Sequence, residues 1–110
     1  MLVSELMEQL ELTAFSLPEP DREISGGYAG DLLSWVMGRA EEDQAWITIM
    51  SNMNIVAVAA LSGVSAVILS EGVKPDAGVA VRALAQGINL LGSEKATFAL
   101  CAELSALLQP

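Results

Sequence analysis

The chain has no histidine and a single cysteine, Cys101. That removes Ser-His and Cys-His nucleophile pairs and most zinc sites. Cys101 lies in the apolar helical run Phe98-Ala99-Leu100-Cys101-Ala102, the usual setting of a buried, inert thiol. The residues left for chemistry are small polar clusters. Gly26-Gly27 follows Ser25 and precedes a predicted helix. A backbone turn there either presents free N–H groups to an anion or supplies the unusual dihedrals of a tight turn. Neither a G-x-G-x-x-G nor a G-x-x-x-x-G-K-[ST] pattern occurs, so nucleotide hydrolysis and kinase chemistry have no phosphate grip. Ser51-Asn52-Met53-Asn54 falls between a predicted strand and helix, and Ser70-Glu71-Gly72 follows the next strand. Open parallel sheets bind ligands beyond the carboxyl ends of their strands. Ser51, Asn52, Asn54, Ser70, Glu71 and Gly72, with Gly26 and Gly27, are therefore the candidate ligand-binding residues. Asn52 or Asn54 also suits a helix cap, and the two roles are compatible. Asp21-Arg22-Glu23 reads as surface charge, an ion-pair knot or an anion contact through Arg22. Glu41-Glu42-Asp43 reads as a solvated turn without metal-ligand spacing. No catalytic residue, metal or cofactor is expected, and the chain is not expected to be an enzyme.

The positioning elements follow from periodicity. Ser4–Leu10 reads as a short helix, and Leu17-Pro18-Glu19-Pro20-Asp21 as a stiff connection. Strands are predicted over 24–28, 45–50, 65–69 and 89–91, where β-formers or continuous apolar runs occur. Helices are predicted over 31–39, 54–61 and 77–86, and from Ser93 to about Leu108. Asp76 and Ser93 are the expected caps and Gly87 a helix stop. Strand–helix alternation repeated four times builds a mostly parallel sheet between helical layers.

The length implies one domain, and an aliphatic core of Ala, Val, Ile, Leu and Met is large enough to do without disulfides. The net charge is −9, and the five basic residues Arg22, Arg39, Lys74, Arg82 and Lys95 are scattered. Nucleic acids and anionic membrane surfaces are poor partners for such a chain. Residues 44–70 carry no charge, but Ser51-Asn52, Asn54 and Ser62-Gly63 break them into short apolar pieces. The stretch reads as strand, helix and strand, not as the ~20 apolar residues of a membrane span. No basic region or long apolar stretch marks the N-terminus, so a cytoplasmic location is expected.

Four segments together resemble stand-alone DRTGG-domain proteins: Asp21-Arg22-Glu23-Ile24-Ser25-Gly26-Gly27-Tyr28, Asp31-Leu32-Leu33-Ser34, Ala45-Trp46-Ile47-Thr48-Ile49, and Asn54-Ile55-Val56-Ala57-Val58-Ala59. The resemblance spans nearly the whole chain, 1–110. The family is similar to the N-terminal domains of HPr kinase/phosphorylase and the Mur ligases, which implies a three-layer α/β/α fold. Related domains beside CBS modules in regulated pyrophosphatases imply a regulatory or dimerising role. Where the family carries Asp-Arg this chain has Ser51-Asn52; where it carries Thr-Gly-Gly it has Ser70-Glu71-Gly72, keeping only the last glycine.

The resulting expectation is a non-catalytic regulatory or protein-interaction module acting as a homodimer. The alternative is a sensor of a nucleotide or other small metabolite, with its pocket at the strand ends. The dimer surface is expected on the 54–61 helix, through Met50, Met53, Val56 and Ala60. That helix is apolar all round and needs covering on every side.

Overall fold

The computed structural model describes residues 1–109; Pro110, included in the 1–110 span above, lies outside them. The elements in chain order are α1 (Val3–Gln9), β1 (Thr13–Ser16), β2 (Gly26–Ala29), α2 (Leu33–Arg39), β3 (Gln44–Thr48), α3 (Asn54–Ser62), β4 (Ala66–Leu69), α4 (Val79–Ala85), β5 (Leu90–Gly92) and α5 (Thr97–Leu108). They form a five-stranded sheet in the order β1-β5-β4-β3-β2. β2, β3, β4 and β5 pair in parallel, and β1 closes one edge antiparallel to β5.

Alternation along the strands divides the core in two. Trp46, Val67, Leu69 and Leu90 face a cluster shared with Val36 of α2, Ile55, Val56, Val58 and Ala59 of α3, and Val79 and Ala83 of α4. Ala45, Ile47, Ala66, Ile68 and Leu91 face Val3 and Leu6 of α1 and Leu100 and Leu104 of α5. This is the expected three-layer α/β/α arrangement, with α2, α3 and α4 on one face and α1 and α5 on the other. From β2 to β5 the strand order never reverses, so the three crossover helices share one face.

β1 is an element that periodicity does not reveal. It has four residues, three of them not buried, and a register shift between Ala14 and Ser16. It is held by a close approach: a Cβ on Gly92 would stand 2.5 Å from the Phe15 ring, so a side chain at that strand position would displace the ring. Asn89 is buried and uses its side-chain amide three times. Its Oδ1 accepts the Glu19 N–H at 2.9 Å, and its Nδ2 donates to the carbonyls of Glu19 at 2.8 Å and Ser65 at 2.9 Å. The stiff 17–21 connection is thereby tied to the sheet.

Several helix starts differ from expectation, and at Asp31 and Asp76 the carboxylate is engaged by another segment of the chain. Ser4 lies inside α1, where Glu5 accepts the Leu2 N–H at 2.8 Å. α4 begins at Val79 behind Gly78, because the Asp76 carboxylate takes the Ser51 hydroxyl at 2.9 Å. α5 begins at Thr97, not at Ser93, whose hydroxyl accepts the Lys95 N–H. Asp31 lies outside α2, with its Oδ1 accepting from the Thr48 hydroxyl at 2.8 Å and the Ile49 N–H at 3.0 Å.

Candidate functional site

The loops after β3 and β4 leave the sheet at the same end, where the Ser70 N–H bonds the Thr48 carbonyl at 3.1 Å. From there they diverge. Residues 51–54 turn towards α3 and α4. The Ser51 hydroxyl bonds Asp76, the Asp76 N–H returns a bond to the Ser51 carbonyl at 3.0 Å, and Asn52 Oδ1 accepts the Asn54 N–H at 2.9 Å. The Asn52 side chain thus closes a local turn ahead of α3, while the N-cap position itself is Met53, without a side-chain cap, and Asn54 is the first helical residue.

Ser70-Glu71-Gly72 turns instead to the start of α5. Ser70 is fully buried, and its hydroxyl lies 2.6 Å from that of Thr97. Glu71 adopts a left-handed φ of 61° and accepts the Thr97 N–H at 2.7 Å. The backbone N–H groups of Glu71 and Gly72 donate to the carbonyls of Lys95 and Ser93. The loop after β4 leads to one helical layer and the loop after β5 to the other. Divergence of that kind creates the crevice in which open α/β sheets hold ligands. Here the chain bridges the crevice itself, and the Glu71 carboxylate stands at the first N–H of α5, where an external anion would otherwise be stabilised.

Gly26 and Gly27 are not in a turn. Both lie in β2 with ordinary extended backbone, absent from the positive-φ glycines among the described residues, so they form no anion-binding nest. They line the wall of a half-open groove of about 370 Å³ between β2 and α5. A Cβ on Gly27 would come within 3.1 Å of Leu104 Cδ2, so the missing side chain lets α5 approach the strand. Ile47, Leu104, Leu108 and Cys101 give the groove an apolar lining, and Ser25, Ser105 and Gln109 add polar groups. All its described lining residues are uncharged. Burial pushes the Cys101 thiol above its ordinary pKa, which leaves little thiolate at neutral pH.

Arg22 forms the ion-pair knot: its guanidinium lies 3.3 Å from Asp43 and 3.8 Å from Glu19, and it also donates to the Gly63 carbonyl. Among the described residues, no three His, Cys, Asp or Glu side chains gather as metal ligands. No helix among them is long and apolar enough to cross a membrane.

The expected contact residues separate by depth. Val56 is 4% exposed and packs inside the core beneath α3, between residues of α2 and α4. It has almost no surface to offer a second subunit, because α2 and α4 flank α3 within the same chain. Met50 is half-buried against that core. Met53 and Ala60 are exposed, and Ala57 and Leu61 extend them into a stripe at helical spacing. The larger feature is the apolar outer surface of this layer: Leu32 at the N-cap of α2, Trp35 on α2, Leu61 on α3, and Val81 and Leu84 on α4 are all more than half exposed.

No family model matches the chain, and a search of curated proteins finds no match. Among solved structures, the chain is similar to the CBS and DRTGG domains of the regulatory region of Clostridium perfringens pyrophosphatase, determined in complex with its activator diadenosine tetraphosphate. The match has a TM-score of 0.70 at 15% identity and covers 99% of this chain. It covers 47% of the other chain, so this protein spans about half the length of that regulatory region. At this identity the likeness establishes a shared α/β fold.

Proposed function

We propose that the chain is a DRTGG-like regulatory module that acts by association, forming a homodimer and carrying out no covalent chemistry of its own. The observation that carries this reading is the apolar outer surface of the α2–α3–α4 layer. Exposed apolar side chains concentrated on one helical layer suit an interaction surface. The likeness in fold to a regulatory region supports the reading, as do the resemblance of residues 21–28, 31–34, 45–49 and 54–59 to DRTGG sequences and the lack of a nucleophile–base pair. Sedimentation equilibrium tests it. The expected mass is twice the 11.5 kDa of one chain, and a single-chain mass at every concentration overturns the dimer.

The β2–α5 groove favours a second reading, a small-molecule sensor. The solved relative binds a dinucleoside polyphosphate, but the groove here is uncharged and the chain has no cluster of bases for phosphates. An uncharged flat group, such as a nucleobase, fits it better. A thermal-shift screen of nucleosides, nucleotides and other metabolites tests this, since a ligand that binds only the folded state raises Tm. The shift should vanish in Ala29→Phe, which places a ring at the groove wall. A screen without any shift removes the reading.

A further inference from the structure

Resting on the homodimer reading, we infer that its centre is α2, with two copies of that helix antiparallel across a two-fold axis at Trp35. α2 is the least covered helix of its layer: Val36 is its buried residue, Leu33 is half-buried, and the others are exposed. Leu32, Trp35 and Arg39 share one stripe at helical spacing. Leu32 is 60% and Trp35 54% exposed, and the Arg39 guanidinium lies 3.9 Å from the centre of the Trp35 ring. Trp and Arg are the side chains most enriched at interface hot spots, and stacking fixes the arginine before any partner arrives.

Two further features select a second copy of this chain as the occupant. The first is charge complementarity. Antiparallel pairing about Trp35 sets Arg39 of each copy beside residues 31–32 of the other. Asp31 is exposed there, with Oδ1 held by Thr48 and Ile49, which fixes the carboxylate on the rim. The stripe therefore carries a cation at one end and an anion at the other, and a two-fold axis matches each to its opposite. The second feature is Gly38. It lies within α2, although glycine weakens helices. Nothing stands within 4 Å of the place its Cβ would occupy, so no contact within the chain requires a glycine there. One turn from Ser34, it flattens the face beside Trp35 and admits a second helix closely. The α3 stripe of Met53, Ala57, Ala60 and Leu61 extends the same surface.

The chain has only two tryptophans, and Trp46 is fully buried, so acrylamide quenching reports on Trp35. We expect strong quenching in dilute protein and protection in concentrated protein. Trp35→Glu should abolish assembly, and Arg39→Glu should weaken it at least about tenfold by facing the carboxylate of Asp31. An unchanged near-ultraviolet signal from Trp46 shows that each variant is folded. A wild-type chain that is monomeric at all concentrations overturns both this inference and the homodimer reading. If Trp35→Glu still dimerises with wild-type affinity while Leu61→Glu does not, the α2-centred interface is overturned alone.

Discussion

α1 turns Glu5, Glu8 and Gln9 to solvent and buries Val3 and Leu6, whereas α2, beyond the opposite face of the sheet, exposes Leu32 and Trp35 and buries Val36. Both helices have seven residues and both cover the sheet. The first divides its sequence between core and water, as a surface helix of a finished domain does. The second, with α3 and α4, has apolar residues left over after its core contacts are made. α3 shows the same excess, burying Ile55, Val56, Val58 and Ala59 while Ala57, Ala60 and Leu61 face outward. In the α1–α5 layer, Phe98 is the large apolar side chain left strongly exposed among the described residues, and Glu103 and Ser105 lie on the same exposed helix. The contrast teaches that folding alone accounts for α1, while the α2–α3–α4 layer carries hydrophobicity that folding does not use; in the α1–α5 layer that excess is confined to α5, where Phe98 is 86% exposed.

The two tryptophans offer the largest separation between these roles. Trp46 is fully buried, and its indole N–H bonds the Gly30 carbonyl at 2.9 Å. Trp46→Ala should cost about 3–5 kcal/mol of folding stability in urea denaturation, from cavity formation and loss of the buried contact. Trp35→Ala should stay within about 0.5 kcal/mol when the monomer is measured, as exposed substitutions do. Equal costs would erase the distinction between the layers.

Leu61, 74% exposed, sharpens it further. Leu61→Glu should leave monomer stability nearly unchanged yet weaken self-association by about 1–2 kcal/mol, the range of a moderate interface truncation. Size-exclusion chromatography over a dilution series reads this directly. Loss of folding instead of association would mean that α3 has no free face.

The parts of this picture legible in the sequence are those with a period. Continuous apolar runs at 45–50 and 65–69 mark central parallel strands because such strands are covered on both sides. Helical spacing likewise locates α2, α3 and α5. β1 is not legible, since Thr13–Ser16 has one buried residue and depends on Gly92 far along the chain for its place. Gly26-Gly27 reads both as part of a 24–28 strand and, by composition, as a turn; pairing with β3 on one side and the approach of Leu104 decide for the strand. Ser51 and Ser70 follow strands that end on one side of the sheet, yet the groups that engage them, Asp76 and Thr97, lie where no local pattern specifies the path of the chain. Val56 reads as surface because α3 is apolar all round, and only the packing of α2 and α4 shows which stripe is covered.

Glu71 gives a smaller effect on the closed layer. Removing its carboxylate from the start of α5 by Glu71→Ala should cost about 1 kcal/mol, as loss of a helix cap does, with residual strain from the left-handed backbone added. A loss confined to α5, seen by amide exchange of residues 97–100, would identify the cap as the cause. A stabilised variant would show that the carboxylate is not used there.

Cys101 gives the smallest. Burial raises its thiol pKa in the folded chain, so the unfolded chain loses this proton first as pH rises. Stability is therefore unaffected below the ordinary thiol value and declines as pH climbs through it towards the folded pKa. Alkylation by iodoacetamide near neutral pH should be slower than for an unfolded peptide containing the same residues. Cys101 is half-buried, not fully buried as its apolar run suggests, and a rate equal to or above the peptide's would contradict a thiol held protonated by its surroundings.

The unequal use of the two layers is tested most directly by hydrogen exchange of the intact chain, read by mass spectrometry in dilute and in concentrated solution. Residues 32–39 and 53–62 should gain protection as concentration rises, while 3–10 and 97–108 exchange as before. Protection that appears in the α1–α5 layer, or nowhere, would contradict the account.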